Sequence, residues 1–144
     1  MMNLFDIAGR TIVLSGGMGQ LGKQYISVLL DSGANVAVLD ISIKPDTGEF
    51  QVMDEHLIYI RCDITKKSEL LKSLEIVQGY WGTPYGLINN AALDSPPNSS
   101  AYDNGPFEDY PEDSWDKVIS VNIKGVFLSC QVFGSAMAKE NIGS

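Results

Sequence analysis

Apolar and polar positions follow two rhythms along the chain. Four continuous apolar runs stand out: 10–16 (RTIVLSG), 35–41 (NVAVLDI), 57–64 (LIYIRCDI) and 85–92 (YGLINNAA). Runs of that length, rich in β-branched residues and bounded by glycine or polar residues, predict buried strands. Between them the apolar residues recur at helical spacing. From Gln20 to about Asp31, Leu21, Tyr25, Val28 and Leu29 form one face, and Gly33 stops the helix. Thr65 offers a cap for a helix over 66–81 that carries Leu70, Leu71, Leu74 and Val77 on one side. A long helix over 111–139 carries Trp115, Val118, Ile119, Val126, Cys130, Phe133 and Met137, with Phe127 and Leu128 widening the stripe. So wide a stripe suits burial on two sides, against a sheet and against a partner chain. Residues 42–55, with Pro45 and Gly48, and 93–112, rich in Pro, Ser, Asn, Asp and Gly, read as loops. The second is long enough to be functional or mobile. Strands alternating with helices imply parallel pairing through right-handed crossovers. The expected fold class is therefore α/β, a doubly wound parallel sheet of about four strands in the order 3-2-1-4, as one domain over 1–144.

Charge and composition narrow the partners. The net charge is −8, and the ten Lys and Arg are scattered, with Lys66-Lys67 the one adjacent pair. That excludes a nucleic-acid surface, which needs basic patches. Cys62 and Cys130 lie inside apolar runs and read as small buried hydrophobes in a reducing compartment. With a single His56 and no ligand spacing, no metal site is expected. The N-terminus lacks a basic region followed by a long apolar run, so no signal peptide is expected. No apolar stretch approaches the roughly 20 residues that span a bilayer. The expectation is a cytoplasmic protein with no membrane partner.

The stretch VLSGGMGQLGKQY (13–25) carries the first candidate chemistry. Glycine-rich turns that open a helix cradle phosphate with backbone N–H groups. Two devices fit its outline. From Gly17 to Lys23 it matches the opening of a P-loop, but Gln24 stands where that loop needs a Ser or Thr for Mg²⁺. From Gly16, the glycines at 16, 19 and 22 match a dinucleotide turn, whose second demand is an acid at the end of the next strand to hold the adenosine ribose. Asp40 ends that strand. An acid there repels a 2′-phosphate, and Ile41 and Ser42 offer no cation, so NAD is preferred over NADP. Read alone, Asp40 is also an ordinary surface acid, Asp63 a turn or capping acid, Asn89-Asn90 a pair of turn residues, and Asn122 a polar residue in helix packing.

Taken in order, four segments resemble the short-chain dehydrogenase/reductase family, and they span essentially the whole chain. SGGMGQLG (15–22) resembles its glycine turn, with Ser15 for the usual Thr. CDIT (62–65) resembles the segment whose Asp holds the adenine amino group, NNAA (89–92) its N-N-A-G, and VNIKGVF (121–127) the helix segment with its catalytic Asn. The resemblance implies a Rossmann-like fold and an NAD-dependent oxidoreductase that moves a hydride between a nicotinamide and a small-molecule alcohol or carbonyl. It implies cofactor contacts at Gly16, Gly17, Gly19, Gln20, Leu21, Gly22, Asp40, Asp63, Ile64, Asn90 and Ala91, a structural role for Asn89, and a catalytic role for Asn122 in a proton relay. It also implies a homodimer or homotetramer through the helix at 111–139. Gln20 departs from the common T-G-x-x-x-G-x-G spacing toward the extended branch, which acts on nucleotide sugars, whereas NNAA and VNIKG match the common branch. The family's general acid/base is a Tyr with a Lys four residues later. Four residues after Tyr25, Tyr59, Tyr80, Tyr85, Tyr102 and Tyr110 stand Leu29, Asp63, Pro84, Asn89, Pro106 and Ser114. The expectation is thus an N-terminal, cofactor-binding portion that stops before the catalytic Ser and Tyr-x-x-x-Lys and is inactive alone. A non-catalytic nucleotide-binding module is the alternative.

Overall fold

The computed structural model describes residues 6–44, 50–94 and 105–144. Four strands are parallel neighbours: β1 (Thr11–Ser15), β2 (Asn35–Asp40), β4 (Leu57–Arg61) and β5 (Gly86–Asn89). Their order β4-β2-β1-β5 is the one expected from the sequence. A further strand, β3 (Phe50–Asp54), pairs antiparallel with β4 and forms the outer edge. This corrects the reading of 42–55 as loop. Residues 45–49 of that stretch, and 95–104 of the expected loop at 93–112, lie outside the described residues.

Side chains alternate across the sheet with the two-residue period of a strand. Ile12, Leu14, Val36 and Val38 face one side, under Ile26 and Leu29 of α1 (Gln20–Asp31). Val13, Ala37, Leu39, Ile58 and Ile60 face the other, under Leu70 and Val77 of α2 (Lys67–Trp81) and Leu128, Val132, Phe133 and Met137 of α4 (Val126–Glu140). Helices thus cover both faces, which is why the strands read as unbroken apolar runs. Ser144 continues this order: its N–H donates to the Tyr85 carbonyl at 2.8 Å and its carbonyl accepts from the Leu87 N–H at 3.0 Å, the parallel ladder pattern about Gly86.

The helices sit differently from the expectation in four respects. α1 buries Gly22, Ile26 and Leu29, while Leu21, Tyr25 and Val28 point outward, the first and last 62% exposed. The cause is Gly22: a Cβ there would run into Gly16 and Gly17, so this position presses directly on the turn and sets the helix rotation. On α2, Leu71 is exposed while Ser73 is buried. Thr65 does not cap α2; Lys66 is the cap residue and makes no side-chain cap bond. Cys130 is exposed and only Cys62 is buried.

The long helix runs from Glu112 to Glu140, as α3 (Glu112–Ile119), a π-helical segment (Ser120–Gly125) and α4. Its 29 residues include a window of mean hydropathy 1.3, long and apolar enough to cross a bilayer by length and composition alone. This corrects the expectation that no stretch approaches that length. Its inner face nevertheless packs on the sheet through Phe133, Val132 and Met137, while Trp115, Ile123 and Phe127 face outward. Gly125 lies where a Cβ would come within 2.6 Å of Ile64, so the bare backbone lets the π segment close on the end of β4.

The two helix faces differ sharply in what truncation should cost. Phe133 is fully buried and Phe127 is 59% exposed. Phe133→Ala is expected to lower unfolding free energy in urea by about 3–5 kcal/mol. Phe127→Ala should stay within about 0.5 kcal/mol of the parent chain. Equal losses would contradict this orientation of the helix.

Candidate functional site

The C-terminal ends of β1, β2, β4 and β5 open into a cleft of about 730 Å³. Its walls bring together Gly16, Gly19, Gln20, Leu21, Asp40, Asp63, Ile64, Asn90 and Ala91, residues far apart in sequence. In open α/β sheets this crevice is where ligands bind. Among the described residues, Gly17, Gly22 and Asn122 are not part of this wall.

The turn between β1 and α1 is built from bare backbone. Gly16 has φ +68°, and a Cβ there would sit 2.6 Å from the Ala91 Cα. A Cβ at Gly17 would strike Val38. Gly19 is the N-cap of α1 with no side-chain cap bond, so the first helical N–H groups face the cleft without a side chain over them. Such an N-terminus favours an anion. Lys23 is exposed, in keeping with a surface role rather than a phosphate ligand.

Ser15 and Asn90 join this turn to β5. The buried Ser15 hydroxyl accepts N–H bonds from Asn90 and Ala91, each at 3.2 Å. The Asn90 amide donates to the carbonyls of Ser15 (3.2 Å) and Gly16 (2.9 Å). The strand-end tie expected of Asn89 is therefore made by Asn90. Asn89 instead donates to the Cys130 Sγ at 3.4 Å. Asn89 ends β5 and turns to α4, whereas Asn90, just past the strand end, turns to the β1–α1 turn, as alternation along an extended chain requires.

Two carboxylates stand at adjacent strand ends. Asp40 Oδ2 accepts from the Met18 N–H of the glycine turn at 3.0 Å, and Oδ1 accepts from the Ser42 N–H (2.9 Å) and hydroxyl (2.7 Å). Asp63 Oδ1 accepts from the Thr65 N–H (3.0 Å) and hydroxyl (2.7 Å), and Lys66 Nζ lies 3.4 Å from Oδ2. Lys66 also bridges to Glu69, whose Oε2 accepts the Asp63 N–H at 2.8 Å. Partial burial pushes the Asp63 carboxyl upward, but the bonds from Thr65 and Lys66 outweigh it and hold it below its ordinary value. Burial pushes the neighbouring Cys62 thiol up to about 11, so it stays protonated at neutral pH.

Asn122 sits in the π segment. Its Oδ1 accepts from the Leu93 N–H at 2.8 Å and its Nδ2 donates to the Leu93 carbonyl at 2.9 Å. The side chain thereby fastens the segment after β5 to the long helix, while Ser120 and Val121 form the wall beside it. Ser15, Met18, Ser42 and Thr65 are the site residues that sequence patterning passed over. The repeated Asp-Ile-Ser and Asp-Ile-Thr at 40–42 and 63–65 was the available signal.

Because the folded Asp63 titrates below its ordinary 3.8, its charged form stabilises the fold above that value. The contribution disappears as the pH falls through the lowered, folded value. Asp63→Asn should therefore reduce unfolding free energy near neutral pH, with the deficit narrowing only below about pH 4. Urea unfolding of both proteins across that range checks it; a deficit unchanged at low pH would contradict the bonds described.

The comparisons with known proteins agree with this geometry. A family model described as short chain dehydrogenase matches residues 10–144. The chain is 34% identical over 124 residues to the short chain dehydrogenase/reductase dpchG of Colletotrichum higginsianum, covering 84% of this chain and 44% of that protein. It is 28% identical over 133 residues to the NAD-dependent glycerol dehydrogenase of Listeria innocua, covering 92% and 49%. The chain thus spans about half the length of the curated relatives it matches. Among solved structures, a short chain dehydrogenase from Leptospira borgpetersenii with bound NAD+ superimposes with a TM-score of 0.75 at 24% identity, covering 94% of this chain and 48% of that one. With matched residues running from the first strand to Ser144, the chain belongs to the short chain dehydrogenase family.

Proposed function

We propose that this chain is the NAD-binding half of an oxidoreductase acting on a small alcohol or carbonyl compound. One observation supports the reading: the Asp40 carboxylate accepts the Met18 N–H, so an acidic side chain at a strand end and a bare glycine turn stand together at one cleft. The cleft fits the group. It is large enough for a nucleotide, has bare backbone at Gly16 and Gly19, and offers an uncapped helix N-terminus.

In this reading the turn from Gly16 to Gly22 holds the pyrophosphate, Asp40 the adenosine ribose, and Asp63 with Ile64 the adenine. Asn90 shapes the turn through Ser15 and Gly16, and Ala91 lines the path toward the nicotinamide. When bound, the dinucleotide supplies the site that accepts or donates hydride. Asn122 acts as a positioning residue, holding Leu93 and the wall beyond β5. Asp40, Asp63 and Asp94 make the wall acidic, with Lys117 its cation, already paired with Asp113 at 3.7 Å. That balance favours NAD over a cofactor with an added phosphate. One relative is named as NAD-dependent and one similar solved structure holds NAD+, in line with this preference.

The proton-transfer group is a separate matter. None of the six tyrosines has a lysine four residues on. We therefore assign cofactor binding, without turnover, to these 144 residues. The outer edge of β5, where Ser144 already pairs, is the place for a further parallel strand. The exposed stripe of Trp115, Ile119, Ile123 and Phe127 is the surface assigned to pairing of two copies in the whole protein. Unbridged cysteines suit a reducing cytoplasm.

Calorimetric titration tests the assignment. NADH should bind, with NADPH at least about tenfold weaker, and Asp40→Ala should lower NADH affinity by about tenfold while narrowing that gap. Mg-ATP binding tighter than NADH, or alcohol oxidation by these 144 residues at ordinary enzyme rates, would overturn it.

A further inference from the structure

Two adjacent parallel strands end in the same three-residue device. β2 ends Asp40-Ile41-Ser42 and β4 leads into Asp63-Ile64-Thr65. In both, the aspartate Oδ1 accepts the N–H and the hydroxyl of the residue two positions on: 2.9 and 2.7 Å at Ser42, 3.0 and 2.7 Å at Thr65. Neither hydroxyl serves a helix. Thr65 precedes the cap residue of α2 and leaves that helix without a side-chain cap, and Ser42 lies in a turn with no helix at Ile43 or Lys44.

The acceptor count gives these bonds a consequence. An ionised carboxylate has about four acceptor positions, two on each oxygen. Two donors on one oxygen saturate it. The terminal torsion of a free aspartate is broad, with its two oxygens interchangeable. Two bonds to the same oxygen select one orientation and leave Oδ2 as the oxygen with capacity. On Asp40 it takes the Met18 N–H at 3.0 Å and keeps a position open; on Asp63 it faces only the exposed Lys66 at 3.4 Å. Both aspartates line the same cleft.

We propose that the hydroxyls of Ser42 and Thr65 are positioning residues for the adenosine half of the cofactor, each saturating one oxygen of its aspartate so that the other meets the ligand. Ser42 acts through Asp40 on the ribose, and Thr65 acts through Asp63 on the adenine amine. The inference rests on the dinucleotide reading of the cleft. It adds that each aspartate accepts one strong bond from the ligand, and that each hydroxyl affects one part of the ligand only.

Binding titrations on the purified chain test it with three probes. These are NADH, its analogue lacking the adenosine 2′-hydroxyl, and its hypoxanthine analogue lacking the adenine amine. Ser42→Ala should weaken NADH by about threefold to tenfold and the hypoxanthine analogue by the same factor, while leaving the 2′-deoxy analogue nearly unaffected. Thr65→Ala should weaken NADH and the 2′-deoxy analogue by a similar factor and leave the hypoxanthine analogue nearly unaffected. Ser42→Thr and Thr65→Ser, which keep the hydroxyl, should retain parental affinity, and thermal unfolding of all four variants reports their folding. If either alanine variant loses equally on all three probes, or on none, the hydroxyl is only structural and the inference is overturned, while NADH binding by the parent chain leaves the cofactor reading standing. If the parent chain does not bind NADH, both fall together.

Discussion

Everything at the cleft depends on how closely α1 sits on the turn that precedes it. Gly22 on the helix presses against Gly16 and Gly17, and no side chain fits between them. This contact fixes the rotation of α1, aims its first N–H groups past Gly19 into the cleft, and brings the Met18 N–H within reach of Asp40. Ser15 and Asn90 then tie the same turn to β5 from the other side. A helix N-terminus, a carboxylate and two strand ends are thus held around one space by a few close backbone contacts.

The electrostatics follow from that arrangement. Two carboxylates gather at the ends of parallel strands, and at Asp63 partial burial alone would favour the neutral form. Each is met by hydrogen-bond donors from its own strand end: Ser42 for Asp40, Thr65 and Lys66 for Asp63. Both carboxylates are thereby oriented, and Asp63 is held below its ordinary value, beside a turn whose N–H groups carry partial positive charge. A ligand with anionic phosphates and donor hydroxyls or amines satisfies both halves of this wall at once.

Much of the fold was legible because four strands are covered on both faces and so read as continuous apolar runs. β3 was not. It is an edge strand with Val52 and Met53 about half exposed, and it pairs on one side only. Its sequence therefore lacks both the unbroken apolar run and a clean alternation. The face of α1 was misjudged because counting apolar residues favours Leu21, Tyr25 and Val28, whereas close packing at Gly22 decides the rotation. That the glycine turn, Asp40 and Asp63 converge on one cleft was readable from spacing and resemblance. Which of Asn89 and Asn90 meets β1 was not, since a one-residue difference in register turns a side chain to the other face. Nor could spacing show that the Asn122 amide is taken up by Leu93, because that contact joins segments 29 residues apart.

The proposed ligand of the cleft above β1, β2, β4 and β5 is a nicotinamide dinucleotide lying along the Gly16–Gly22 turn and the two aspartates. Backbone amide chemical shifts of the isotopically labelled chain, followed during NADH titration, test it most directly. Saturable shifts are expected at Met18 to Leu21, Ser42, Thr65 and Leu93. Little change is expected at Leu71 and Ser135, which line a separate hollow of about 310 Å³ between α2 and α4. Shifts confined to that hollow, or an unchanged glycine turn at saturating NADH, would contradict it.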